Sequence, residues 1–378
     1  MKKRQFLKTL GHSALALAVT DVLLEACSRP QQQINRNQLK SWIWIRPIEG
    51  LSKDGWKDKL AKASDAGIDG ILMEVYNSTW SFFENEHLPL KEDILAKAAP
   101  ACHELGMEFH AWMWTMPCNI PAVIENHPHW YAVNGLDESV LDKPAYVDYY
   151  RFLCPRHPEV QDFIRKNVSA LARIPEIDGI HLDYVRLPDV ILAEALQPKY
   201  DIVQDREYPQ YDYCYSAYCR NIFKEETGID PLAELANPSS NDAWRQFRFD
   251  SITLLVNDIL VPEAKKYDKQ ISAAVFPNWQ SVRQQWHRWD LDAFYPMLYN
   301  NFYNENIDWI RKQTQSGVDA LKNNAPIFSG VYVPELRAEQ LEKAYQAAID
   351  GGAKGVSFFD YGAISDQKWK TISKLISS

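Results

Sequence analysis

The chain has 378 residues, 46% of them hydrophobic and 24% charged, and a formal net charge of −9. That length suits one large domain or two ordinary ones, and the composition is that of a globular protein able to bury a sizeable core. The acidic balance excludes a nucleic-acid backbone as partner, because no surplus of Lys and Arg is left to displace counterions; it fits a neutral or cationic substrate, or solubility alone.

In chain order, residues 1–27 read as a targeting segment. Lys2, Lys3 and Arg4 make a basic start, and the apolar stretch 14–24 is too short to cross a bilayer as a helix. It runs into Leu24-Glu25-Ala26-Cys27, which resembles a bacterial lipoprotein signal, while Lys3-Arg4-Gln5-Phe6-Leu7-Lys8 resembles a twin-arginine pattern with Lys in the first position. The expectation is an exported periplasmic or cell-surface lipoprotein, lipidated and membrane-anchored at Cys27. Residues 28–39 are then a polar tether and 40–378 a single catalytic domain.

From residue 41 short apolar runs alternate with helix-like stretches, the pattern of βα units and a parallel sheet. The strand candidates are 41–46, 70–76, 108–114, 179–184, 270–276, 293–299, 327–332 and 355–360. Helical spacing marks 56–66, 94–105, 158–173, 243–266 and 338–350, with Gly67, Gly106 and Gly352 placed where helices stop. Eight such strands predict an α/β fold, a single (β/α)8 TIM barrel. Residues 187–242, rich in Tyr, Asp and Pro, form a long loop insertion after strand four that would roof the active face. No G-x-G-x-x-G follows the first strand and no H-E-x-x-H or tight Cys/His spacing is present, so neither a cofactor nor a metal is expected. Beyond Cys27 five scattered cysteines remain; Cys214 and Cys219 either bridge within a loop or stay as buried thiols.

Barrel enzymes place their chemistry at the C-terminal ends of the strands. Those ends carry Glu74 on strand two; His110, Trp112 and Trp114 on three; and Asp183, Tyr184 and Arg186 on four. They carry Asn278 after five, Tyr295 and Tyr299 on six, Tyr332 and then Glu335 at seven, and Asp360 at eight. Residues two apart share a face, so Asp183 faces the mouth if Leu182 faces the helices. Carboxylates ringed by Trp and Tyr suit glycoside hydrolysis, in which one carboxylic acid protonates the leaving oxygen and a second attacks or activates water. The 13 Trp and 19 Tyr supply flat faces for sugar rings, although many serve the core. Plainer roles stand beside these. Asp183 pairs with Arg186, Asp360 pairs with Lys354 or caps a turn, Glu74 caps backbone, Glu335 opens a helix, and His110, Trp112 and Trp114 pack the core.

The run Ile177-Asp178-Gly179-Ile180-His181-Leu182-Asp183-Tyr184-Val185-Arg186 resembles the D-G-I-H-x-D-Y-x-R signature of the glycoside-hydrolase-like family related to family 10. Leu153-Cys154-Pro155-Arg156-His157-Pro158-Glu159-Val160 is similar to that family's L-C-P-x-x-P-x-V segment, and Trp244-Arg245-Gln246-Phe247-Arg248 to its W-x-x-F-R helix start. Ser272-Ala273-Ala274-Val275-Phe276-Pro277 and Tyr295-Pro296-Met297-Leu298-Tyr299 resemble its strands five and six. The resemblance spans about residues 40–365. It implies a barrel glycosidase of polysaccharide or peptidoglycan glycan, with Asp183 central and Glu74, Arg186 and Asp360 near it. Family 10 proper uses glutamates at strands four and seven, whereas strand four here ends in Asp183. The reading is therefore a glycosidase working through paired carboxylates. Its alternatives are a non-catalytic glycan-binding lipoprotein on the same fold, and another sugar chemistry such as a lyase or deacetylase.

Overall fold

The computed structural model describes residues 39–377 apart from position 324. The targeting segment, Cys27 and nearly all of the tether lie outside them. The eight strands are β1 (Lys40–Ile45), β2 (Gly70–Tyr76), β3 (Glu108–Trp114), β4 (Gly179–Asp183), β5 (Gln270–Val275), β6 (Ala293–Pro296), β7 (Ser329–Tyr332) and β8 (Gly355–Phe359). They pair in parallel in the order β6-β5-β4-β3-β2-β1-β8-β7. Parallel bridges from Phe294 to Ile327 and from Met297 to Gly330 close the ring between β6 and β7. The chain is a (β/α)8 barrel.

Each strand is buried on both faces, as a parallel sheet covered by helices requires. On β1, Ile43 and Ile45 face the helices while Trp42 and Trp44 fill the barrel with Leu72, Trp112, Ala274, Tyr295 and Phe328. Such large rings need gaps opposite them. Gly70 and Gly179 provide these: a Cβ at Gly70 would lie 2.4 Å from the Trp42 ring, and one at Gly179 2.7 Å from the His110 ring.

The helices bury one stripe each. In Lys53–Asp65 the stripe is Trp56, Leu60 and Ala63, and Ser52 caps the start by accepting from the Gly55 N–H at 3.1 Å. The expected helix 243–266 is continuous but contains a π-helical stretch, Leu255–Leu260. Two helices absent from the sequence reading, Asp308–Ala320 and Asp366–Ser377, follow β6 and β8. After β5 the described chain makes two short 3-10 turns, Trp279–Val282 and Trp286–Arg288, in place of a helix.

Two segments cover the C-terminal mouth. One is the insertion after β4, which contains the helix Ala217–Thr227. The other, residues 115–157 after β3, was not anticipated. They join through an antiparallel bridge between Asn134 and Tyr213 and through the Tyr215 N–H donating to the Val133 carbonyl at 2.7 Å. Asp212, fully buried, ties the insertion down: it pairs with Arg248 and, at 2.9 Å, with Arg283, and accepts from the Tyr215 hydroxyl at 2.6 Å. Burial opposes its charge, but the two guanidinium groups outweigh burial and hold its carboxyl below the ordinary value.

Candidate active site

The site grows from the end of β4. Tyr184, directly after Asp183, adopts the left-handed region at φ 51°, a costly conformation for a bulky residue. The turn aims the Tyr184 N–H at Asp183 Oδ1 at 2.7 Å, while Trp112 Nε1 donates to Oδ2 at 3.1 Å. Burial pushes the Asp183 carboxyl up to about 6, against the pull of these donors and of Arg186 and Arg46. Across β3, Glu74 accepts from Trp114 Nε1 at 3.2 Å. Burial raises its carboxyl to about 7, helped by the Asp183 charge and opposed by Arg46 and the Trp114 N–H.

The two indoles cross over. In the sheet register Trp112 lies beside Glu74 and Trp114 beside Asp183, yet each indole bonds the carboxylate on the other side. Glu74 and Asp183 thus sit two strands and two residues of rise apart, about 12 Å at the backbone. They are held by neighbouring side chains of β3.

Above them opens a cavity of about 560 Å3. Its floor and lower wall hold Trp112, Trp114, Asp183, Met297, Tyr299 and Phe359, and its upper wall holds Tyr149, Tyr150, Tyr184, Tyr303 and Tyr332. Glu74 is buried beside this cavity, behind Trp114, and does not line it.

Arg186 lines the cavity but its ion pair is with Asp189, at 3.0 Å, and its guanidinium lies 4.7 Å from the Phe276 ring centroid. The plainer reading of Asp183, an ion pair with Arg186, is not what forms; Arg186 acts on Asp183 only as a charge at longer range. Asp360 caps the turn Tyr361–Ala363, accepting from the Ala363 N–H at 3.2 Å, with Arg46 Nε 3.8 Å away. Asn278 accepts from the Tyr303 hydroxyl at 2.9 Å, behind the cavity wall.

Three positions need correction. His110 is not at the mouth: its ring packs 4.7 Å from Trp42 in the lower barrel, with Glu108 Oε2 3.6 Å away. Tyr295 lies below the floor, against Trp42, His181 and Phe328. Glu335 is exposed, accepts from Asn301 Nδ2 at 2.7 Å and borders a separate surface pocket.

Arg46, absent from the sequence candidates, lines the cavity at the end of β1 and is the cation felt by both Glu74 and Asp183. It follows Trp42 and Trp44 at two-residue spacing, so the same alternation that selected Asp183 points to it. Among the described residues two sets of three side chains bring metal-ligand atoms within 4.8 Å of one another: Cys154, Cys214 and Cys219, and His127, His129 and Glu159. Neither set lines the cavity.

A closed parallel barrel whose mouth carries buried carboxylates amid tryptophans and tyrosines has the architecture of a glycoside hydrolase. The profile of the glycosyl hydrolase-like 10 family matches residues 51–321, and the chain belongs to that family. It is 22% identical over 256 residues to the glycosyl hydrolase YngK of Bacillus subtilis (strain 168), a match covering 60% of this chain and 43% of that protein. The match thus spans less than half the length of that relative. The glycoside hydrolase domain of PgaB (BpsB) from Bordetella bronchiseptica superimposes with a TM-score of 0.69 at 15% identity, covering 89% of this chain and 99% of that one. The beta-galactosidase of the psychrophilic Marinomonas ef1 gives a TM-score of 0.67 at 12% identity, over 90% of this chain and 59% of that one. The beta-amylase catalytic domain of Paenibacillus polymyxa gives 0.60 at 10%, over 90% and 98%. At these identities the structural likenesses speak for the fold.

Proposed function

We propose that the chain hydrolyses O-glycosidic bonds of an extended glycan, with Asp183 as the carboxylate that meets the substrate. The observation that carries this reading is Asp183 itself: a buried carboxylate, raised to about 6, on the floor of an aromatic cavity and coupled to a second, Glu74, raised to about 7. Between those values Asp183 is mostly ionised and Glu74 mostly protonated, which separates the two into base or nucleophile and a proton reservoir that lies behind Trp114 and reaches the glycosidic oxygen only by way of an intervening water. The aromatic walls stack on sugar rings, and Arg46 and Arg186 hold the charge balance of the floor. The glycan class proposed, polysaccharide or peptidoglycan, rests on the family likeness and on the proposed export.

A glycan-binding protein without catalysis is the second reading. It is favoured by one observation: of the carboxylates that line the cavity, Asp189 is neutralised by Arg186, leaving Asp183 facing the substrate while Glu74 stays behind Trp114. Incubating the purified protein and its Asp183→Asn variant with bacterial and plant polysaccharides and peptidoglycan glycans, read by mass spectrometry, separates the two. Oligosaccharides from wild type only support the hydrolase. No products, with tight glycan binding by both proteins, supports the binder.

Export and anchoring at Cys27 belong to the same proposal. They rest on the basic start, the apolar stretch and the cysteine that ends it. No helix among the described residues is long and apolar enough to cross a membrane. The mass of the N-terminal peptide from the producing cell tests this: a diacylglyceryl adduct on Cys27 supports it, and an unmodified Cys27 in an uncleaved chain refutes it.

A further inference from the structure

The two segments that cover the mouth meet at a group of sulfurs. Cys154 ends the cover that follows β3, and Cys214 and Cys219 belong to the insertion after β4. All three side chains are buried and unbridged. Their sulfurs lie within 4.8 Å of one another, with Cys154 Sγ 3.4 Å from Cys219 Sγ. The Ser216 hydroxyl joins the group, 3.3 Å from Cys154 Sγ. Three thiols packed merely as small apolar groups need no common centre; these share one, and a fourth polar atom stands beside it.

The spacing suits a metal. A disulfide holds its sulfurs about 2.05 Å apart. Four ligands around Zn2+, with bonds of about 2.3 Å to sulfur, leave edges of about 3.8 Å between sulfurs.

We propose that Cys154, Cys214 and Cys219 bind one thiophilic divalent cation, Zn2+, with the Ser216 hydroxyl as fourth ligand, clamping the two cover segments together. Each ligating thiol gives up its proton to solvent as the ion enters, so binding strengthens as pH rises. Because three ligands come from segments about 60 residues apart, the ion stabilises the assembled roof rather than one loop. This proposal stands apart from the glycosidase reading.

The test is metal analysis of the purified full chain, followed by titration of the metal-free, reduced protein with cobalt(II) chloride. The expected result is one equivalent of zinc and, with cobalt, one equivalent of a tetrahedral thiolate spectrum. That spectrum is lost in Cys154→Ser and kept in Cys118→Ala, and the melting temperature rises with metal. Thiols are counted in denaturant without reductant on the metal-stripped protein. Leaving aside Cys27, whose sulfur is blocked if lipidated, five reactive thiols fit the proposal, one each for Cys102, Cys118, Cys154, Cys214 and Cys219. Three among these five, showing a disulfide, would overturn it, as would a wild-type chain that gives no thiolate spectrum with cobalt. Should Cys154→Ser fail to fold, the wild-type stoichiometry and the Cys118→Ala control still decide.

Discussion

At the scale of single residues the proposed chemistry rests on two carboxyls, Asp183 and Glu74, that burial raises to about 6 and about 7. Asp183→Asn keeps the shape but not the charge, and should lower kcat/KM by at least about a hundredfold, read as release of oligosaccharides. In wild type, kcat/KM should form a narrow bell with limbs near pH 6 and 7, the values for Asp183 and Glu74, which belong to the pair as a unit. Trp114→Phe removes the N–H that pulls the Glu74 carboxyl down, so the alkaline limb should move to higher pH. Stability carries the same signature. The folded protein holds the Glu74 proton more tightly than the unfolded chain does, so the proton favours folding below about pH 4 and that advantage is lost as pH rises through 7. A rise from 4.5 to about 7 corresponds to about 3 kcal/mol. Glu74→Gln, which never ionises, should match wild type in urea unfolding at pH 4 and exceed it by up to about 3 kcal/mol at pH 8.

At the scale of elements the barrel depends on glycine beside tryptophan. Gly179→Ala would push a methyl group into the His110 ring, at 2.7 Å, and should cost about 1–3 kcal/mol, seen as a lower melting temperature with the fold retained. The strands themselves were legible because buried parallel strands are apolar runs. Their ends were less so: β6 ends at Pro296, three residues short of the expected end at 299, although the Met297 N–H still donates to the Val275 carbonyl at 2.8 Å. The helix Asp308–Ala320 escaped notice because its buried face is Ile310, Thr314 and Gly317, too weak a stripe to read. Alternation gives the face a side chain takes but not its height in the barrel. His110, Trp112 and Trp114 do share a face, yet register puts His110 beside Gly179 and only Trp114 beside Asp183. Height comes from pairing between strands, which no single strand's sequence contains. The convergence of Cys154 with Cys214 and Cys219 was hidden for the same reason.

At the scale of the whole molecule, the cavity floor belongs to the barrel, and the upper wall is shared between the two covers and the ends of β4, β6 and β7. The long insertion was visible as an oversized loop; its partner, residues 115–157, was not, because short 3-10 and extended pieces break its pattern. The covers are fastened through buried charge. Asp212→Ala leaves the buried Arg248 without its anion, while Arg283 keeps its pair with Glu207 at 2.6 Å, and should cost about 3–5 kcal/mol. Limited proteolysis should then cut first within the insertion, at a protease level that leaves wild type whole. Uncut Asp212→Ala would show that the roof is held by other contacts.

The crossed indoles give the molecule an optical property. Each carboxylate is hydrogen-bonded by its own tryptophan, Trp112 for Asp183 and Trp114 for Glu74. A charge appearing next to an indole N–H changes the energy of its excited state, so loss of a proton at either acid is written into ultraviolet emission. The difference in fluorescence between wild type and Trp112→Phe isolates one acid, and that between wild type and Trp114→Phe the other. The protonation of each can then be followed by light, with no dye attached and before any substrate is known.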